Sequence, residues 1–314
     1  MVQTMDQFVK NPGRDFTRNR MCSFAKVIII LMTMESHSLR KEIKNLFPDK
    51  KVIKWKDLIT TSAFVQARGK LNEKALPALF HQFNKKTPYS KTLNGLHPIA
   101  IDGSDANVPA DIKDCNTFIP YNSNNGGYHQ MHINVAFSLL DQRYSDVVIQ
   151  PRAQLNEVSA ACTMVDQKRV KGKCLYICDR GYVSFNLMAH IVEKGDFFLI
   201  RVKELNSINS PYKFIDIPEN EEFDIPVRFL LTRKRSLVLK DPKMYKAIMK
   251  QSVFDFLPED DKTSVYELSY RLIGIRLDNG SFEYLITNLP AKKHPISVMK
   301  QYYHLRWKIM RISA

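Results

Sequence analysis

The 314-residue sequence has no hydrophobic run long enough to cross a membrane. Its most apolar stretch, residues 24–34, carries Lys26 and spans 11 residues, whereas a spanning helix needs roughly 20. A buried helix is expected there instead. A signal peptide does not fit either, because Met34-Glu35-Ser36-His37 has no small-residue cleavage pattern. A cytoplasmic protein with no membrane partner is expected. Cysteine is scarce: five residues, an odd number at irregular spacing, fit a reducing compartment better than a disulfide framework. His129, His132, Cys174 and Cys178 match no zinc-ligand spacing. Acid is in short supply as well, with 32 Asp and Glu against 47 Lys and Arg, a net charge of +15 and a pI near 9.5. Such a field favours polyanions, either nucleic acid or an anionic surface. Apolar residues at 44% and charged residues at 25% otherwise describe a globular protein of one to three domains.

What is present is organised around residues 173–203. Leu175, Tyr176, Ile177 and Cys178 form a short apolar run stopped by Asp179 and Gly181, the pattern of a buried parallel strand. Ser184 is a candidate N-cap, after which Phe185, Met188, Ala189 and Val192 recur at helical spacing. Gly195 ends that helix, and residues 197–202 read as a second strand. This is a βαβ unit with Asp179 at the carboxyl end of its first strand, where open α/β sheets bind ligands.

A lone Asp in that place is more often a turn or capping residue. A second copy of the pattern argues otherwise, because residues 97–101 are another apolar run broken by Asp102-Gly103-Ser104-Asp105. If the two strands are neighbours, Asp102 and Asp179 meet. Paired carboxylates at a sheet edge suit two divalent ions that clamp the oxygens of a phosphoryl transfer. Hard oxygen ligands select magnesium or manganese rather than zinc.

The N-terminal third is helical in pattern and basic. Residues 1–20 carry Lys10, Arg14, Arg18 and Arg20 and are expected to be partly disordered. Ser38 is a candidate cap for a helix with Leu39, Ile43, Leu46 and Phe47 on one face. Lys50, Lys51, Lys54 and Lys56 form a basic connector. A helical run follows Thr60-Thr61-Ser62, and another starts at Asn72 with Pro77 awkwardly inside it. Four short helices with basic faces suit a DNA-binding bundle, and equally a helical subdomain with solvated lysines.

Past Asp102, a loop with Asn122, Asn124, Asn125, Gly126 and Gly127 leads to strands over 132–140 and 145–149. Glu157 then opens a helix (Val158, Ala161, Cys162, Val165) before the Asp179 strand. Three strands, a helix, then strand–helix–strand is the succession of an RNase H-like fold, whose first and fourth strands are central neighbours. An acidic patch (Asp216, Glu219, Glu221, Glu222, Asp224) interrupts it, followed by a strand over 227–231. Within 231–250, Arg233, Lys234, Arg235, Lys240, Lys243, Lys246 and Lys250 face only Asp241. That is more base than solubility requires, and phosphate contact is expected at Arg233, Lys234 and Arg235. Residues 265–277 and 282–287 read as a hairpin over Asp278-Asn279-Gly280, and a helix begins at Ser297.

Five motifs then fall in order: Ile101-Asp102-Gly103-Ser104, Cys178-Asp179-Arg180-Gly181-Tyr182, Phe198-Leu199-Ile200-Arg201-Val202-Lys203, Leu285-Ile286-Thr287-Asn288-Leu289-Pro290 and Tyr303-His304-Leu305-Arg306-Trp307. Together they resemble the DDE transposases of the bacterial insertion-sequence group called IS-four, across nearly the whole chain. The resemblance implies a mixed α/β, RNase H-like fold: a helical N-terminal DNA-binding region (1–92), a catalytic core (93–203), a β-rich basic insertion (204–265) and the last catalytic helix within 266–314. It also implies cut-and-paste strand transfer on double-stranded DNA at the inverted repeats of a mobile element. A homodimer in a synaptic complex would perform it with two Mg2+ or Mn2+ ions, in a bacterial cytoplasm at the nucleoid. Asp102 and Asp179 take the first two catalytic, metal-holding positions, and Arg180, Tyr303 and Arg306 are expected to meet DNA.

In the last helix the family pattern runs from Tyr and Arg to a Glu and then a Lys. Tyr303 and Arg306 match, the Glu position holds Met310, and the Lys position falls past residue 314. A truncated or frameshifted copy with impaired catalysis is therefore expected. Three functions fit: a transposase lacking its third acid, a non-catalytic DNA-binding regulator of transposition, and a nuclease completed by Glu157 or Asp105. In each, Asp102 and Asp179 should lie close together, and neither should have a basic partner close enough to neutralise it permanently.

Overall fold

The structure is a computed structural model describing residues 2–18, 20–45, 59–111, 113–121, 126–203, 205, 210–218, 220–261 and 263–307. The expectations at Leu46, Phe47, Lys50, Lys51, Lys54, Lys56, Asn122, Asn124, Asn125, Glu219 and Met310 lie outside those residues. The chain divides into two compact units, residues 1–88 and 89–314. Among the described residues no helix is long and apolar enough to cross a membrane.

The first unit is helical. In α1 (Phe24–Thr33) the Ser23 hydroxyl accepts the Lys26 amide at 3.4 Å. The expected buried helix is buried on one face only: Phe24, Val27, Ile28 and Ile30 pack inward, whereas Ile29 and Met32 are exposed. α2 (Leu39–Asn45) follows Ser38 as expected, the Ser38 carbonyl accepting the Glu42 amide at 3.0 Å. Glu42 Oε1 accepts the amides of Glu35 and His37 at 2.9 and 2.8 Å, which ties down the segment before the helix. Thr60 caps α3 (Thr61–Arg68), accepting the Ala63 amide at 3.1 Å. α4 (Ala75–Lys86) starts later than expected, so Pro77 falls in its first turn, where a missing N–H is tolerated. Residues expected to be disordered are held instead. Val2–Phe8 is a 3₁₀ turn, and the Phe16 ring stands edge-on to Phe24 with centroids 5.7 Å apart.

Among the described residues, the second unit is built on one ten-stranded mixed sheet. Its strands are β1 (Leu96–Val108), β2 (Phe118–Pro120), β3 (Gly127–Ser138), β4 (Arg143–Pro151), β5 (Lys173–Cys178), β6 (Phe197–Val202), β7 (Phe223–Thr232), β8 (Tyr245–Ala247), β9 (Val265–Arg276) and β10 (Phe282–Thr287). The order is β2-β3-β1-β5-β6-β10-β9-β7-β8, with β4 also on β3. β1 pairs parallel with β5, and β5 with β6, while β3 lies antiparallel to β1. First and fourth core strands are thus central neighbours, and the unit is a mixed α/β fold of RNase H-like order. The strands of the expected insertion do not form a body of their own. β7 pairs β9, β9 pairs β10 and β10 pairs β6, extending the same sheet.

Period-two alternation assigns the two faces of this sheet. Ile99, Ile101, Tyr176, Cys178, Phe198 and Ile200 pack on one side with α5 (Glu157–Gln167) and α6 (Phe185–Glu193). Ala100, Ile177, Leu199 and Leu285 pack on the other with Met299, Tyr302 and Tyr303 of α8 (Ile296–His304). Between β7 and β8, α7 (Arg235–Lys240) is short and has no buried residue.

Candidate active site

Asp102 and Asp179 arrive at one edge because β1 and β5 are in register up to Ile101 opposite Cys178. Each is the next residue, two on from Ala100 and Ile177, and so turns to the α8 face. Asp102 does not end its strand as expected. β1 continues to Val108, paired there with β3 alone. Asp179 is extended and opens a 3₁₀ turn (Arg180–Tyr182), its Oδ1 accepting the Arg180 amide at 2.7 Å. Both carboxylates are about one-third exposed (34% and 35%), open enough to take a ligand.

Against the expectation that neither carboxylate has a basic partner close enough to neutralise it permanently, both have one within ion-pair range. Arg306, just past α8 and 4% exposed, places Nη1 3.7 Å from Asp102 Oδ2 and Nη2 3.4 Å from Asp179 Oδ2. Tyr303, fully buried, donates its hydroxyl to Asp179 Oδ1 at 3.4 Å, and burial pushes the phenol up to about 12. Burial also raises the carboxyl of Asp102, a tendency Arg306 and the Gly103 amide oppose and Asp179 reinforces. Tyr303 and Arg306, expected at a DNA surface, are therefore packed against the two acids. Arg180 is exposed beside them.

The acids offered as substitutes stand elsewhere. Gly103 faces away from Asp102, and a Cβ there would lie 2.4 Å from His132 Nε2 and 2.9 Å from Glu157 Oε1. His132 Nδ1 meets Asp105 Oδ1 at 2.6 Å, and its Nε2 is 3.2 Å from Glu157 Oε1. Asp105 and Glu157 thus gather around a buried histidine on the α5 face of the sheet. Among the described residues no group of three His, Cys, Asp or Glu side chains is arranged to hold a metal ion. The two aspartates alone do fit one hard divalent ion. They offer carboxylate oxygens and already converge on a cationic group, and magnesium commonly takes one or two carboxylates and completes its shell with water or phosphate.

Two other features went unread. Glu283 on β10 is buried on the same face as Asp179, with Oε1 3.5 Å from Arg201 Nε and Oε2 without a partner among the described residues. Alternation from Leu285 would have placed it there. In the first unit, a cavity of about 970 Å³ is lined by Arg14, Arg18, Arg20 and Lys70 against Ala63 and Gln66 of α3. Its one acid, Asp15, is buried and accepts the Asn11 amide at 3.1 Å and the Asn11 side chain at 3.0 Å.

The basic stretch after β7 divides. Arg233 spends its guanidinium on the Leu257 carbonyl (3.2 and 3.1 Å) and the Met249 carbonyl (3.2 Å). Lys234 and Arg235 are exposed. Lys246 is covered, its Nζ donating to the Pro242 carbonyl at 2.7 Å and standing 4.5 Å from the Phe229 ring.

Residues 95–309 match the model of a protein family, the transposase DDE domain. The chain belongs to that family, whose chemistry is DNA transposition with divalent metal ions. No curated protein matches the sequence. A cryo-EM structure of piggyBac transposase in a synaptic complex with hairpin DNA is similar at a TM-score of 0.45 and 13% identity, over 92% of this chain. The chain spans 57% of that one.

Proposed function

We propose that the chain is a DNA-binding transposase polypeptide of the IS-four group that engages the inverted repeats of a bacterial mobile element. The observation that carries this reading is the convergence of Asp102 and Asp179 at the β1–β5 edge of a transposase DDE domain. These two residues would hold Mg2+ or Mn2+. The ion, when bound, would supply Lewis-acid stabilisation of a phosphoryl oxygen and a more acidic water. Tyr303 holds Asp179 through its hydroxyl, and the exposed Arg180 offers a guanidinium to a phosphate beside it. The basic cavity around Arg14, Arg18 and Arg20 supports a DNA-binding role for residues 1–92, and Lys234 and Arg235 offer further backbone contacts. A synaptic homodimer working at the nucleoid is the setting this reading takes.

A second reading has its own observation. Met310 falls where the resemblance to the IS-four group places a third acid, and a thioether is a poor ligand for magnesium. Among the described residues no third His, Cys, Asp or Glu completes a metal-holding group with the two aspartates. The chain as given would bind transposon ends and cut them poorly, acting as a regulator of a complete enzyme. Loss of a group that merely supports a metal ligand commonly costs ~10–100-fold, and loss of a ligand should cost more. The test is Mg2+- or Mn2+-dependent nicking of duplexes carrying the element's ends. Tight, end-specific binding with little cleavage is expected. Efficient cleavage abolished by Asp102→Ala would overturn the impaired-enzyme reading, and absence of DNA binding would overturn both.

A further inference from the structure

Two arginines of this unit are buried alike and employed differently. Arg271 on β9 is 8% exposed and fully engaged. Its Nε donates to Asp224 Oδ1 at 2.9 Å, its Nη2 to Asp224 Oδ2, and its Nη1 to the carbonyls of Leu289 and His294 at 2.9 Å each. That is a guanidinium built into a fold, fork against fork. Arg306 is less exposed still, at 4%, yet its carboxylate contacts are 3.7 and 3.4 Å. Charge-assisted hydrogen bonds run at about 2.7–2.9 Å. Its Nε–H is buried without a partner among the described residues. The contact is one of charge and not of shape. Its two oxygens also belong to different acids on different strands, and what those acids share is the position between them.

We propose that the Arg306 guanidinium is a resident cation that keeps the place of the divalent ion between Asp102 and Asp179. Metal and guanidinium exclude one another there, and an incoming DNA phosphodiester admits the metal by drawing Arg306 away. The inference rests on the metal-holding role proposed for the two aspartates.

The physical argument has three steps. Two neighbouring carboxylates in a half-buried site repel each other, and the Arg306 cation, 3.7 and 3.4 Å from their oxygens, offsets that repulsion with no metal present. A divalent ion entering the same space would then meet the guanidinium at close range in a medium that screens poorly, so one of the two must leave. Arg306 is the one a phosphate can draw away. It follows the end of α8 and is held by no directional bond to the acids, and a phosphodiester offers its fork the bidentate seat that the aspartates do not. Linkage makes the consequence reciprocal: DNA strengthens metal binding, and metal strengthens DNA binding by the same factor. The free chain would carry little metal, and its carboxylates would be armed only on DNA.

The experiment is an Mn2+ titration of the full chain, followed by the electron paramagnetic resonance of free Mn2+. It is run with and without a short blunt duplex, and Asp102→Asn/Asp179→Asn serves as the blank for ions taken up by DNA. Arg306→Gln should tighten Mn2+ binding at the aspartate site at least ~5-fold, the lower end of common coupling between sites. In the unmodified chain, which needs no variant to fold, the duplex should tighten Mn2+ binding by a similar factor, and in Arg306→Gln it should add little. Equal or weaker binding in Arg306→Gln, or no effect of duplex on the unmodified chain, overturns the proposal while leaving the aspartate site in place. If the double Asn variant binds Mn2+ as well as the unmodified chain, the metal-holding role itself is wrong, and this inference falls with it.

Discussion

The chain carries two concentrations of charge, and they are built in opposite ways. In the N-terminal cavity Arg14, Arg18 and Arg20 line an open space, and its single acid among the described residues, Asp15, is turned onto Asn11 and stands 3.9 Å from Lys70. At the β1–β5 edge the acids Asp102 and Asp179 face outward and are closed over by the chain's own Arg306. The first arrangement can meet a polyanion without rearranging, and its binding should be dominated by counterion release. The second is self-complementary and must be opened before it can act. The net charge of +15 belongs to the whole chain and does not distinguish them. What distinguishes them is whether the opposite charge is supplied by the fold or left to a partner.

The most disruptive way to break the comparison is to disturb the backbone under the closed edge. Gly103→Ala would drive a methyl into His132, which Asp105 holds from the far side. Overpacking of this kind costs about 1–3 kcal/mol. A loss of that size in denaturant unfolding is expected, with binding by the N-terminal cavity unaffected. Unchanged stability would mean that the imidazole yields freely and that the edge is less rigid than it looks.

Gly103 also shows what the sequence could and could not reveal. A glycine after an apolar run reads as a strand end, yet β1 continues past it, because where a strand stops is decided by its partner. β5 ends at Cys178 while β3 runs on, and nothing local to Gly103 carries that information. The β5–α6–β6 unit was legible, since each element is marked by its own apolar period and by Gly195 at its turn. So was the meeting of Asp102 with Asp179, which needs only that two similar strands be neighbours. The role of Arg306 was not: helical spacing puts it on a polar face, and only the packing of α8 on the sheet shows that this face is turned to the acids. Arg233 failed for the same reason, because its partners are backbone carbonyls that leave no trace in a residue pattern.

The open region is tested next. Arg14→Gln/Arg18→Gln/Arg20→Gln should lower duplex affinity on the order of tenfold at low salt, and the slope of log affinity against log salt should flatten by about 0.9 for each phosphate no longer neutralised. Fluorescence anisotropy across a salt series measures both. An unaltered slope would make the cavity a solvated hollow, and the comparison would fail on that side. Charge reversal at Lys234 and Arg235 should have a smaller effect of the same kind, a few-fold in affinity. Arg233→Glu should instead lower the melting temperature, since it strips donors from the Leu257 and Met249 carbonyls. If all three reversals act on DNA affinity alone, the division of that basic stretch is wrong.

The smallest expected effect lies at the margin of the closed edge. Glu283 is buried, one of its oxygens has no partner among the described residues, and burial raises its carboxyl although Arg201 opposes the shift. A carboxyl whose folded pKa lies above its unfolded value binds a proton more readily in the native state. Its contribution to stability is then complete below the unfolded pKa and is lost as pH rises through the folded one. Glu283→Gln keeps the shape of the protonated form and does not titrate. The variant should therefore match the unmodified chain in acid and gain on it in melting temperature as pH rises toward neutrality. The sign is the informative part. A variant that loses stability at neutral pH would show that the Arg201 contact outweighs desolvation. The edge would then be stabilised by its buried charges, and Arg306 would become one more structural ion pair alongside Arg271.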